Sequence, residues 1–411
     1  MTGTGPWGLF EVYGVELEYM IVDRDTLAVR PYADELLREA AGAGEYVQDV
    51  DRGGIAWSNE IVSHLVELKT NGPVPRLDGL DAAFSAGIAE INGRLRARNA
   101  MLLGTGAHPF MDPETDTVLW PHGDREIYFT YDRIFGCRGH GWSNLQSTHL
   151  NLPFRGDEEF GRLHAAVRLL LPLVPALAAS SPLLDGRPTG YLDARLETYR
   201  HNQERVPSVT GRIVPERLFT RAAYEGLFER LRGDIAPFDP DGMLKPLFLN
   251  SRGAIARFDR DAIEIRLLDI QECPRADVAV AAAVVAAARA LTAETDAPLD
   301  VQQQWPEDLL ADLLLDVVRD GEQAHVHDPD YLRMFGIRAR ARTAGEAWRE
   351  ICERGRDLFD ADQRRALSVI LDRGPLARRI LSGLGPAPDR EAIVATYAEL
   401  ARCLADNRLY A

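Results

Sequence analysis

Cysteine is scarce in this chain: four among 411 residues, at positions 137, 273, 352 and 403. They are far apart and no CxxC pair occurs, so neither a structural zinc site nor a disulfide framework is expected. Long apolar runs are missing too. Residues 165–184 are apolar but carry Arg168, Pro172, Pro175 and Pro182, and the run from Val278 to Ala288 stops after eleven residues. Both suit buried helices better than membrane spans. Positive charge is in short supply: Lys and Arg number 47 against 63 Asp and Glu, a formal net charge of −16. Such a surface repels nucleic-acid phosphate and anionic lipid, so neither is expected as a partner. No basic segment followed by an apolar stretch opens the chain, which points to the cytoplasm. Internal repeats and low-complexity linkers are absent, and no strand runs into a glycine-rich phosphate-binding turn, which argues against a doubly wound parallel sheet.

What is present is a mixture of strands and helices. The length suits one large core with appendages or two domains. Strands are predicted over Phe10–Asp23, Ile61–Thr70, Met101–Gly104, Ser147–Leu152 and Ala262–Ile270. Helices are predicted over Tyr32–Ala43, Asp78–Asn99, Phe160–Ala179, Glu216–Arg232 and Arg275–Thr295, with Gly186–Glu204 as an Arg-rich polar loop. From Pro306 onward the pattern is almost wholly helical. The expected organisation is an α+β catalytic domain over residues 1–300 and a helical region over 301–411 packed on it, with an antiparallel sheet.

Side chains two apart on a strand share a face. Glu16 and Glu18 therefore point together, opposite Val15, Leu17 and Tyr19. Leu65, Glu67 and Lys69 share a face, as do His149 and Asn151, and as do Glu264 and Arg266. Four strands thus split into an apolar face and a face of ionisable groups. Side-by-side carboxylates repel. Hard divalent cations remove that repulsion, since they prefer oxygen ligands. The pattern points to a metal cluster of Glu16, Glu18, Glu67 and Glu264, with Glu60 and His149 beside it. A solvated sheet face is the plainer alternative for any one strand.

Six segments resemble glutamate–cysteine ligase family 2, the bacterial carboxylate–amine ligases. Gly14-Val15-Glu16-Leu17-Glu18 is similar to that family's opening GxExE strand, and Glu60 with Val66-Glu67-Leu68 to its second acidic strand. Gly106-Ala107-His108-Pro109-Phe110 resembles its THPF loop, and Ser147-Thr148-His149-Leu150-Asn151 its HxHV-type strand. Ser180-Ser181-Pro182 through Thr189-Gly190-Tyr191 and Arg195 resembles its SSP…TGxxxxR stretch, and Ile263-Glu264-Ile265-Arg266 through Asp269 its VEVRxxD strand. The likeness covers about residues 9–295 and implies a glutamine-synthetase-like fold, an antiparallel sheet flanked by helices. There are departures. Thr148 stands for the first His of HxHV, so one candidate ligand is missing, and Leu249–Gly253 lacks an Asp-x-Arg that relatives carry.

The resemblance also implies a chemistry: ATP with Mg²⁺ or Mn²⁺ phosphorylates a carboxylate, and an amine then displaces the phosphate to leave an amide. On that expectation Glu16, Glu18, Glu67 and Glu264 hold metal, with Glu60 as a further ligand. His149 binds metal or phosphate, and Arg266 and Arg195 hold phosphate or a substrate carboxylate, to which a guanidinium fork is suited. Arg200 and Arg338 are further phosphate contacts. Lys69 either contacts phosphate or pairs with Glu67. The expected partners are small: an amino acid or other carboxylic acid, and an amine; a homodimer is left open. His108 reads equally as a hydrogen-bonded loop histidine. His325 and His327 read as incidental, and Trp57, Trp120 and Trp142 either pack in the core or line a pocket. Two rival functions remain: a guanidino kinase on the same fold and a non-catalytic binding descendant.

Overall fold

The computed structural model describes residues 7–42 and 44–411. Its centre is an eight-stranded sheet. The strands are Gly14–Asp23 (β1), Asp49–Asp51 (β2), Ile55–Asn59 (β3), Leu65–Thr70 (β4), Ala100–Leu103 (β5), Ser147–Pro153 (β6), Ala254–Arg257 (β7) and Ala262–Asp269 (β8). The spatial order is β2-β3-β4-β1-β6-β8-β7, with β5 pairing the second half of β1, and every pairing is antiparallel. β1 is the hub. Its first half pairs with β6 through Glu16 opposite His149, and its other edge pairs with β4 through Glu16 opposite Lys69 and Glu18 opposite Glu67.

Val15, Leu17 and Tyr19 point into the core and are fully buried. The same face carries Thr148, whose hydroxyl donates to Asp277 on the Pro274–Thr292 helix at 2.7 Å, so that helix lies beneath the sheet. Its sequence explains the placement: of the thirteen residues from Ala276 to Ala288, eight are alanine and four valine, which lets neighbours approach closely. The helices Leu80–Leu95, Gly156–Leu170 and Ala361–Arg373 pack against it. The hydrophobic core is continuous from Phe10 to Leu404. The change to a helical pattern after residue 300 marks no break in packing: the Arg390–Ala405 helix rests on Leu80–Leu95 and on β5.

Several elements differ from expectation. The predicted Ile61–Thr70 strand begins only at Leu65, and Ile55–Asn59 is a separate strand paired to it. Residues 61–64 are instead drawn aside by a bridge from Val62 to Leu119. The Arg-rich stretch predicted as loop holds a helix, Ala194–Tyr199, started by Asp193, whose carboxylate accepts from the Leu196 amide at 2.8 Å. The predicted Glu216–Arg232 helix starts at Arg221, where Thr220 caps it, because Glu216 is held by Arg252. The first predicted helix runs Ala33–Ala41 and ends on Gly42 at φ 61°; its predicted last residue, Ala43, lies outside the described residues. The helical C-terminal stretch also contains a two-stranded ribbon, His325–Val326 with Arg342–Thr343.

Candidate active site

The polar face of the sheet gathers Ser58 (β3), Glu67 and Lys69 (β4), Glu16 and Glu18 (β1), Ser147, His149 and Asn151 (β6), and Glu264 and Arg266 (β8). Registry alone brings them together, because Ser58 faces Glu67, Glu67 faces Glu18, Glu16 faces His149 and Asn151 faces Glu264. A shift in register after Ile265 leaves Arg266 and Leu267 opposite the single residue His149. This bulge turns Arg266 toward the cluster.

His149 bridges two carboxylates. Its Nδ1 lies 3.1 Å from Glu16 Oε2, and its Nε2 lies 3.6 Å from Glu18 Oε1. Burial alone would lower its pKa, but the hydrogen bond to Glu16 and the charge of Glu18 raise it. Glu16 is correspondingly held low by His149, against the opposing effect of burial. Asn151 donates to Glu16 at 3.1 Å. Glu18 accepts from the Ser147 amide and hydroxyl, each at 2.8 Å. Glu67 accepts from Ser58 at 2.6 Å.

Compensation is uneven. Glu264 has two arginines: Arg257 donates to one oxygen at 2.7 Å and Arg266 to the other at 2.7 Å. Its pKa is held well below the carboxylate range because Arg266, His149 and Arg257 outweigh burial. Glu60, by contrast, has no side-chain hydrogen bond among the described residues. Burial, then the charges of Glu18 and Glu67, push its pKa well up, and burial with the charge of Glu16 raises Glu67. One ligand atom each from Glu16, Glu67 and His149 lies within 4.8 Å of the others, and so does one each from Glu18, Glu60 and Glu67. Oxygen-rich donor sets this close, with surplus negative charge, fit hard divalent cations. Two such sites would share Glu67.

The structure gathers Glu16, Glu18, Glu67, His149 and Arg266 on one face, as strand alternation predicts, with Glu60 beside them in the turn between β3 and β4. It places five candidates otherwise. Glu264, expected as a metal ligand, has both oxygens occupied by arginines and belongs to neither close carboxylate group. Lys69 pairs with Asp49 at 2.9 Å and Glu67 at 3.2 Å and donates to Ser58, so the pairing alternative is the one seen. Arg195 is buried at the Ser147 end of the face with its guanidinium committed: its Nε donates to Asp269 and its Nη2 to the Leu267 carbonyl at 2.7 Å. Arg200 forks onto Glu197 of its own helix at 2.8 Å, and Arg338 is exposed on a loop.

Arg195 and Asp269 form a buried knot. Asp269 also accepts from the Ser180 amide at 2.7 Å and the Ser181 hydroxyl at 2.8 Å, while Ser180 Oγ accepts from the Gly106 amide at 2.7 Å. Three of the family-like segments thus converge at one end of the site and tie its loops together. His108 is a structural loop histidine: Nε2 contacts the Leu27 carbonyl at 2.8 Å, Nδ1 accepts from the Phe110 amide, and burial lowers its pKa to about 4. His325 and His327 stack on each other, exposed. Trp57 and Trp120 are fully buried, and Trp142 packs on Tyr131 and Phe135.

Sequence reasoning missed Ser58, Ser147, Arg257 and Arg260. The missing-His reading also needs correction. Thr148 points into the core, and the residue sharing the face with His149 is Ser147, two positions before it. Strand alternation was the signal. Arg257 precedes and Arg260 lies within a turn between two alternating runs, a hairpin signature.

Residues 12–399 match the family described as glutamate–cysteine ligase family 2. The chain belongs to glutamate–cysteine ligase family 2. An uncharacterised protein of Archaeoglobus fulgidus is 33% identical over 404 residues, spanning 97% of this chain and 99% of its own. A Cupriavidus metallidurans protein named for glutamate–cysteine ligase 2 is 29% identical over 187 residues; the match spans 45% of this chain and about half, 46%, of that relative. The glutamate–cysteine ligase of Francisella tularensis, solved in complex with AMP, shares the fold at a TM-score of 0.63 and 12% identity, over 96% of this chain and 88% of that one. This family member is an ATP-dependent carboxylate–amine ligase in class.

Proposed function

We propose that the acidic face binds ATP with Mg²⁺ or Mn²⁺ and activates a carboxylate as its acyl phosphate before an amine completes an amide. The observation supporting this is the surplus negative charge at Glu18, Glu60 and Glu67, which Lys69 and His149 only partly offset, so that burial and neighbouring carboxylates raise Glu60 and Glu67. Divalent cations held there would neutralise the phosphates and expose the γ-phosphorus to attack.

In the first step a substrate carboxylate oxygen attacks the γ-phosphorus and the bond to ADP breaks. In the second the amine nitrogen attacks the acyl carbon, the bond to phosphate breaks and the nitrogen loses a proton. The protein's own part is positioning and charge. Arg266, a quarter exposed and aimed by the bulge, offers a guanidinium to phosphate oxygens. Ser147 and Ser58 fix the carboxylates they bond. The substrates fit the family name, glutamate and cysteine, and extend to other small acids and amines.

The test is ADP release from the full chain with MgATP across a panel of acids and amines, with product mass measured. Turnover should require both an acid and an amine, and Glu67→Gln should lower it by about 100-fold or more. An unaltered chain that binds no nucleotide would end the reading. Turnover on a guanidine alone, without an amide product, would select the kinase instead.

A further inference from the structure

The cations on the acidic face are nearly all committed. Lys69 bonds Asp49, Glu67 and Ser58; Arg266 bonds Glu264; Arg257 bonds Glu264 and Asp259. Arg260 is different. Its guanidinium lies 3.9 Å from Glu16 and 3.6 Å from Asp259, within ion-pair range, yet it makes no side-chain hydrogen bond among the described residues. Its side chain is 22% exposed, mostly enclosed yet open to solvent.

The turn that carries it is fixed. Residues 258–261 join β7 to β8, with Asp261 at φ 47°. The Asp261 carbonyl accepts from the Phe154 amide at 3.0 Å, at the end of β6. Phe258 sits among Phe154, Phe160 and Tyr224, with ring centroids 5.1–5.9 Å away. Arg221 lies over the Phe258 ring at 4.5 Å and pairs with Asp261 at 2.8 Å. A guanidinium with five donors, held on a clamped turn at the rim of a carboxylate cluster, is pre-organised for an anion that brings its own acceptors.

We propose that Arg260 reads the oxyanion of an incoming ligand at the Glu16–Glu264 end of the face, either a phosphate of the nucleotide or the carboxylate of the acid. This rests on the ligase reading above. Phe258, Arg221 and Asp261 act as positioning residues that hold the turn. A guanidinium beside Glu16 alone would have its charge met but its directional donors unused. An oxyanion drawn to the face by cations that Glu16 and Glu67 would hold could use both.

The test compares the full chain with Arg260→Gln and Arg260→Lys, at fixed Mg²⁺. MgATP affinity is measured by calorimetry and glutamate affinity by calorimetry in the presence of MgADP. Arg260→Gln should weaken one probe by about tenfold or more, with Arg260→Lys intermediate, because a lysine keeps the charge and loses the fork. A loss confined to MgATP assigns the phosphate; a loss confined to glutamate assigns the carboxylate. The melting temperature should stay within about 2 °C, as for a surface-side substitution. If both probes stay within twofold, Arg260 is a counter-ion to Glu16 and the proposal is overturned. Failure of the unaltered chain to bind MgATP would instead remove the ligase reading itself.

Discussion

Neighbouring residues on β6 do opposite jobs. Ser147 and His149 face the carboxylates, while Thr148 between them faces the core and bonds Asp277. Ser147→Ala should therefore weaken Mg²⁺-dependent nucleotide binding, because Glu18 loses a hydroxyl donor and keeps only the Ser147 amide. Thr148→Val should leave that binding unchanged yet cost about 1–3 kcal/mol of stability, since Asp277 loses a partner in the core; chemical denaturation alongside nucleotide titration separates the two effects. Asp277 itself should set a pH dependence. Burial raises its pKa to about 8, against the 3.8 expected of an unfolded chain. Between these values the folded protein holds a proton that the unfolded chain has released, so this residue's contribution to stability falls as pH rises through that window. Melting temperatures of the parent should show that decline between pH 5 and 8, and Asp277→Asn should flatten it.

At the scale of elements, the site depends on two irregularities. The bulge in β8 sets Arg266 opposite His149, and Arg195 fills the gap it leaves by donating to the Leu267 carbonyl. Arg195 in turn is anchored by Asp269, which is fully buried. Removing one partner of such a buried pair costs about 3–5 kcal/mol, so Arg195→Ala should show its first effect in thermal stability. Arg266→Ala, on a side chain open to the site, should show it in turnover. Gly106 belongs to the same knot. A Cβ there would stand 2.7 Å from Asp269 Oδ1, too close for any side chain. Gly106→Ala should destabilise by about 1–3 kcal/mol through overpacking, measurable as a lower melting temperature with no change in metal requirement in the fraction that folds.

The whole molecule is tied shut by its last residues. Asn407 donates to Asp81 at 2.9 Å and accepts from the Arg275 amide at 2.9 Å. The Tyr410 amide donates to Glu272 at 3.1 Å, and Glu272 pairs with Arg379 at 2.6 Å in the interior. None of these groups touches the acidic face. Deleting residues 406–411 should nonetheless lower the melting temperature, because it strips partners from a buried ion pair. No described helix is long and apolar enough to cross a membrane.

How much of this was legible beforehand depends on the range of the forces involved. Strand alternation is local, so Glu16 with Glu18, His149 with Asn151, and Glu264 with Arg266 could be assigned to common faces from spacing alone. The antiparallel α+β class followed from the order of elements and the lack of a phosphate-binding turn. Pairing between strands is not local. That Glu67 meets Glu18, that Glu264 is claimed by Arg257, and that Arg195 descends into a buried knot are set by register, by a bulge and by the desolvation of charge. The family-like motifs named the right segments without separating the residues that line the site from those that brace it. Spacing determined which side chains share a face; only the folded sheet decided which carboxylates are left short of positive charge, because that balance depends on neighbours up to 248 positions apart, as Glu16 and Glu264 are.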